Sequence, residues 1–233
     1  MRCFLPLLAC LLTPLVAAPE APPTIPVSIY CFAYAPNLDT VHLRTGAASY
    51  QKVELSTANI VGPQQALVDN GTITLHRQEA APDGTTTWPV VGRVRLPADC
   101  PRALLLLLPA PAGEALPYRG LAFVHTNRDF PLGSMKMVNL SPFAVRGAVG
   151  AATVTIRSGG VETFQPRGEA GESVPVLFEY QRDDRWQRMT ATRWALREDR
   201  RSLICIFEHP VTKRMNMRSI PDRTLPPNPD PNP

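Results

Sequence analysis

SVPVLFEYQRDDRWQRMTATRWAL, residues 173–196, is the stretch that decides the fold. Val174, Val176, Phe178 and Tyr180 alternate with more polar positions, Asp183-Asp184 offers a turn, and Trp186 to Leu196 runs back. Side chains on a strand point alternately to opposite faces, so period-two patterning over this length predicts antiparallel strands with one wet face. A second turn at Arg197–Arg200 and a return along Leu203–Phe207 extend the meander.

The rest of the chain is written in the same style. Short β-prone runs cover 27–34, 41–45, 51–55, 66–78, 88–96 and 103–108, then 118–126, 134–140, 144–149, 153–157 and 161–164. Asn70-Gly71, between Leu-Val and Thr-Ile-Thr-Leu, is a hairpin signal because both turn positions need positive φ. The 26 prolines among 233 residues are roughly twice the usual share of about 5%. Proline lacks an N–H and fixes φ, so this composition opposes long helices. The expected fold is all-β: tandem antiparallel, immunoglobulin-like sandwiches over 27–108 and 118–220, with very little helix. Pro109 to Pro117 is the expected linker or wide loop, 19–26 a proline-rich leader, and 221–233 an extended proline-rich tail with no hydrophobic face to bury.

The first 18 residues have the layout of a secretory signal peptide: Arg2, an apolar run from Cys3 to about Val16, then small residues. Pro6 and Pro14 interrupt that run, and it falls short of the roughly 20 residues of a membrane helix. Leu7-Leu8-Ala9-Cys10 also fits a bacterial lipoprotein box, which would lipidate Cys10. Once the signal is removed, no transmembrane span is expected. Either route places the protein outside the cytoplasm, secreted or periplasmic, and removal of the whole signal peptide takes away Cys3 and Cys10 and leaves Cys31, Cys100 and Cys205. Oxidising conditions favour pairing, and Cys31–Cys100 is the expected staple, with Cys205 in Leu-Ile-Cys-Ile-Phe read as a small buried hydrophobe. None has partners at metal-site spacing, so no metal or cofactor is expected.

The run FPLGSMKMVNLSP, residues 130–142, lacks the second glycine and following helix of a phosphate loop. It reads as a strand entered through Pro131 and Gly133 and closed by Asn139 through a side chain to backbone hydrogen bond. Its Phe-Pro-x-Gly-Ser-x3-Val-Asn-Leu-Ser pattern, with the later tryptophan, the arginine-rich hairpin and Ile206-Phe207-Glu208-His209-Pro210, resembles uncharacterised secreted bacterial all-β proteins. The resemblance covers about residues 118–220. It implies secretion and a β fold, and brings no activity, cofactor or site residue.

For catalysis, His42, His76, His125 and His209 lie in no recognisable nucleophile motif, His125 with Asp129 being the nearest pair. Asp183 and Asp184 are adjacent and so face opposite ways, unlike glycosidase carboxylates, which face each other across a cleft. The suggestive cluster is basic and aromatic. On a regular strand Trp186, Arg188, Thr190, Thr192, Trp194 and Leu196 share one face, where Trp186, Arg188 and Trp194 could stack on sugars or meet an anionic polymer. Alternatively the tryptophans pack into the core under arginine stems. From Arg182 onward there are 11 basic and 7 acidic residues, an excess of 4 that is mild for a nucleic-acid binder. The expectation is a non-enzymatic binding or structural module at the cell envelope, with a polysaccharide or envelope protein as partner and no nucleic acid. The alternatives are an envelope-polymer hydrolase and a lipid-anchored assembly factor.

Overall fold

The computed structural model describes residues 23–225. The expected signal peptide, Cys10, the first half of the expected leader and the last eight residues of the expected tail lie outside them. The chain runs as β1 (Thr24–Cys31), β2 (Thr40–Arg44), β3 (Tyr50–Glu54), β4 (Val61–Leu67), β5 (Thr72–His76), β6 (Glu79–Ala80), β7 (Thr86–Thr87), β8 (Val90–Arg95), β9 (Ala103–Pro109) and β10 (Tyr118–Val124). Then follow β11 (Met135–Asn139), β12 (Val145–Val149), β13 (Ala152–Ile156), β14 (Val161–Phe164), β15 (Ser173–Arg182), β16 (Arg185–Ala195), β17 (Arg201–Glu208) and β18 (Met215–Asp222). The expected all-β class holds, with no helix among the described residues and so none long and apolar enough to cross a membrane.

The first half is one curled sheet where two stacked sheets were expected. Eight strands in the order β3-β2-β5-β8-β10-β9-β1-β4 form a nearly closed barrel. Its two edges approach each other, and Gln51 of β3 donates a side-chain hydrogen bond to Gln64 of β4. Val27, Ile29, Leu43, Leu75, Val94, Leu105 and Leu107 fill the interior. Nor is the sheet purely antiparallel, since β1 pairs in parallel with β9, and β8 with β10. Asn70 and Gly71 do adopt positive φ in a tight turn, but β4 leaves to pair with β1 while β5 joins β2 and β8. The turn signal is local; the partner of each strand is not.

Pro109–Pro117 is a wide hairpin loop, with the Ala110 N–H donating to the Pro117 carbonyl at 2.8 Å. It delivers β10 back onto β9, Tyr118 opposite Pro109, so residues 118–124 belong to the first half. Proline and glycine suit a wide hairpin as well as a linker, which is why composition misplaced the boundary. The crossing to the second half comes after Val124.

The second half stacks two four-stranded sheets, β14-β11-β17-β18 and β13-β12-β15-β16. Met137, Ile204, Ile206, Val174, Val176 and Phe178 fill the space between them. The other face of the first of these sheets, through Val138, Leu203, Cys205 and Ile220, packs on Tyr30, Leu104, Leu106 and Phe123 from the outside of the barrel. That contact explains the leucine run: Leu105 and Leu107 point into the barrel while Leu104 and Leu106 point at the neighbouring sheet. A strand covered on both faces needs no polar alternation. β18 extends to Asp222 and Leu225 is buried, so the first residues of the expected tail are packed.

Candidate functional site

Asp183 and Asp184 both take positive φ and close the β15–β16 hairpin, with Arg182 opposite Arg185. The pairing is not uniform. Glu179 faces Arg188 and Phe178 faces Thr190, which leaves Met189 as an extra residue in β16. A bulge of one residue reverses the phase of everything beyond it. The expected single face of Trp186, Arg188 and Trp194 is therefore split. Trp194 lies opposite Val174 and turns inward, its ring centroid 6.0 Å from that of Phe178. Trp186 and Arg188 lie opposite Gln181 and Glu179 on the outer face. There the Arg146 guanidinium sits 4.2 Å from the centroid of the Trp186 ring and is held by Glu179 at 2.7 Å. That cation–π contact covers one face of the Trp186 ring.

Trp194 is instead part of a cleft at one end of the second half. Met135, Trp194, Leu196 and Ile204 are apolar members of its lining, and Arg193, Arg197, Arg200 and Glu198 charged ones, around a volume of about 500 Å3. Gly133 and Ser134 line it too, so the entrance of the FPLGSM run forms part of a hollow as well as starting a strand. Gly133 has φ 76°, a conformation L side chains rarely adopt. Asp199 accepts from Arg197 at 3.0 and 2.9 Å and lies 3.8 Å from Arg200, orienting both guanidinium groups. Arg193 donates to the Ser173 hydroxyl and has no carboxylate partner among the described residues. Asn139 caps its strand as expected: its amide donates to Phe143, Ile156 and Arg157 carbonyls, and its oxygen accepts from Ser141.

His125, Asp129, Asp183, Asp184 and His209 each engage a different partner or turn. His125 is fully buried and bonds Asp222 at 2.7 Å, whereas the Asp129 carboxylate accepts from the Thr126 hydroxyl. Asp183 and Asp184 occupy the exposed hairpin turn, and His209 accepts the Val211 and Thr212 N–H groups in the next one. The His125–Asp222 pair joins the end of the barrel to the last strand of the second half. Desolvation pushes the Asp222 carboxyl up, but the His125 hydrogen bond and charge, with the Thr224 N–H and hydroxyl, leave it below its ordinary value. Sequence reasoning missed this pair because 97 residues separate its members. It also missed a cluster on the barrel, where Tyr50 stacks on Trp88 at 4.2 Å between the cross-strand neighbours His42 and His76.

Cys31 and Cys100 are separate thiols, each donating to a nearby carbonyl, and the expected disulfide is not formed. The parallel register explains why. Val27 lies beside Ala103 and Cys31 beside Leu107. Those four residues span about 13 Å at ~3.3 Å each, and Cys100 lies beyond the far end, whereas a disulfide needs Cα atoms within about 7 Å. Cys205 is a buried hydrophobe as expected. Among the described residues no group of three or more His, Cys, Asp or Glu side chains could hold a metal ion. No protein-family model matches the chain, and no curated protein matches it in sequence.

Proposed function

We infer that the protein is a secreted or periplasmic, non-enzymatic module that binds an anionic polysaccharide of the cell envelope in the end cleft. One observation carries this reading: the hollow of about 500 Å3 is lined by Trp194 together with three arginines, Arg193, Arg197 and Arg200, and a single carboxylate residue, Glu198. An indole gives the C–H face of a sugar a surface to stack on, and guanidinium forks match carboxylates two hydrogen bonds at a time. The apolar run and small residues at the N-terminus support export.

Calorimetric titration with oligogalacturonate and, separately, a neutral cello-oligosaccharide at low salt tests the reading. The expected result is binding of the uronate only, weakened about tenfold in an Arg197→Gln/Arg200→Gln variant, as loss of a charge-assisted hydrogen bond implies. Failure to bind, or binding that ignores both arginines, overturns it. The mature N-terminus of the exported protein, read by mass spectrometry, decides the mode of export. A free end near Ala18 or Pro19 fits secretion, and a diacylated Cys10 fits the lipid-anchored alternative.

A further inference from the structure

The second half is closed along one side, where β13 meets β14, and open along the other. On the open side β16 and β18 are both edge strands, each paired with one neighbour only among the described residues. Between them Met189, Thr190, Trp194, Met215 and Met217 line a hollow of about 280 Å3 that meets the end cleft at Trp194. Methionine is unbranched and polarisable, so such a lining adapts to the side chains laid against it.

The backbone of β16 is set to accept a further strand. Ala195 faces Ser173, and the Leu196 N–H donates to the Glu172 carbonyl at 2.8 Å, which makes Ala195–Ser173 a non-hydrogen-bonded pair. By alternation Arg193–Pro175 and Ala191–Leu177 are the same kind, and Pro175 has no N–H to offer in any case. The N–H and C=O groups of Ala191, Arg193 and Ala195 therefore point away from β15, toward the unpaired edge.

We propose that this edge receives an extended segment of a partner protein that alternates apolar and acidic residues and adds to β16 as the fifth strand of its sheet. The alternation follows from the pleat. Inward side chains of the added strand lie beside Thr190, Thr192 and Trp194 and over the methionines of the opposite sheet. Outward ones lie beside Arg188 and Arg193, both exposed, on a strand that carries three arginines and no carboxylate. That charge decides the occupant. A second copy would bring arginines against arginines, and like charges on neighbouring strands destabilise. The chain's own tail has prolines at 226, 227, 229, 231 and 233 and so lacks the N–H groups a ladder needs. The arginines and the bulge at Met189 are also devices that discourage indiscriminate pairing of an edge, which leaves room for a selective one.

The test uses two synthetic nonapeptides, acetyl-(Val-Glu)4-Val-amide and its Val-Lys counterpart, read by fluorescence anisotropy and by hydrogen exchange on the full mature chain. The expected result is at least tenfold tighter binding of the glutamate peptide, with slowed exchange at Ala191, Arg193 and Ala195. Ala191→Pro removes one outward N–H without touching the ladder to β15. It is expected to weaken the peptide at least tenfold while unfolding temperature and oligogalacturonate binding stay unchanged, so the edge and the cleft are judged separately. Arg188→Glu, a second variant that spares the backbone, is expected to narrow the preference for glutamate over lysine at least tenfold. No binding of the glutamate peptide, equal binding by Ala191→Pro, an unaltered preference in Arg188→Glu, or self-association that Ala191→Pro abolishes would each overturn the proposal.

Discussion

Replacing Asp222 by alanine is expected to uncouple the two halves of the molecule. Its carboxylate, with no exposed side-chain surface, bonds a His125 ring that is equally buried, and its second oxygen accepts from the Thr224 N–H and hydroxyl at 2.9 and 2.7 Å. Arg201 lies opposite it on β17 and donates to Asn127 and to the Phe130 carbonyl, at the crossing between the barrel and the second half. Removing one member of a buried pair leaves the other without a partner, at a cost of about 3–5 kcal/mol. For a chain of this length each kcal/mol moves the unfolding temperature by roughly 2–4 °C, so a fall between about 6 and 20 °C is expected. The pH dependence supplies a sharper check. Because the folded carboxyl titrates below its unfolded value, its contribution is present above about pH 4 and is lost as pH falls through the depressed value. Calorimetric scans of wild type and Asp222→Ala between pH 7 and pH 2 should therefore converge at the acid end. Asp222→Asn, which keeps an acceptor for His125, should fall between them at neutral pH. A loss under about 1 kcal/mol for the alanine variant, or a gap that widens with acid, refutes the reasoning.

Leu105→Ala and Leu106→Ala should each cost about 2–5 kcal/mol in denaturant unfolding, because one empties the barrel interior and the other the contact between halves. A one-faced strand would show a large loss for only one of them. Burial pushes the Cys31 thiol up to about 11 and the Cys205 thiol up to about 12, and raises the partly buried Cys100 thiol too, so of these three iodoacetamide at pH 8 should label Cys100 first, through its exposure, and the other two only once denaturant is added. Peptide mapping reads the sites, and rapid labelling of Cys31 would contradict its placement. Trp186→Ala should cost about 0.5–1 kcal/mol, the worth of its exposed contact with Arg146, whereas Trp194→Ala should cost about 3–5 kcal/mol through lost packing on Phe178. Equal losses in thermal unfolding would place both rings in the same environment and remove the argument for the bulge.

Much that depends on neighbours in the chain was legible from residues alone, although the expected meander ends at β16, since β17 belongs to the other sheet. Alternation at Val174, Val176 and Phe178, the turns at Asp183-Asp184 and Asn70-Gly71, and the hydrogen bonds that the Asn139 side-chain oxygen accepts from Ser141 are local, whereas the Asn139 amide reaches on to Ile156 and Arg157. The candidate site was only partly legible. Trp194 and the arginines after it are in the cleft, but the single row with Trp186 assumed an unbroken period of two, and the extra residue at Met189 breaks it. A bulge has no sequence mark as plain as Asn-Gly, because any residue with room to bend can occupy it.

The sequence by itself determined that the described residues are β in class, the turns at Asn70-Gly71 and Asp183-Asp184, and that its basic residues concentrate after Arg182. Only the tertiary structure decided that the first half curls into a barrel, that β10 closes it, and that Cys31 and Cys100 lie too far apart to pair. The joining of His125 to Asp222 and the unpaired edge of β16 belong with these. The division has a physical cause. Strand propensity and turn geometry are local, whereas the partner a strand takes depends on which faces can be buried together across the whole chain.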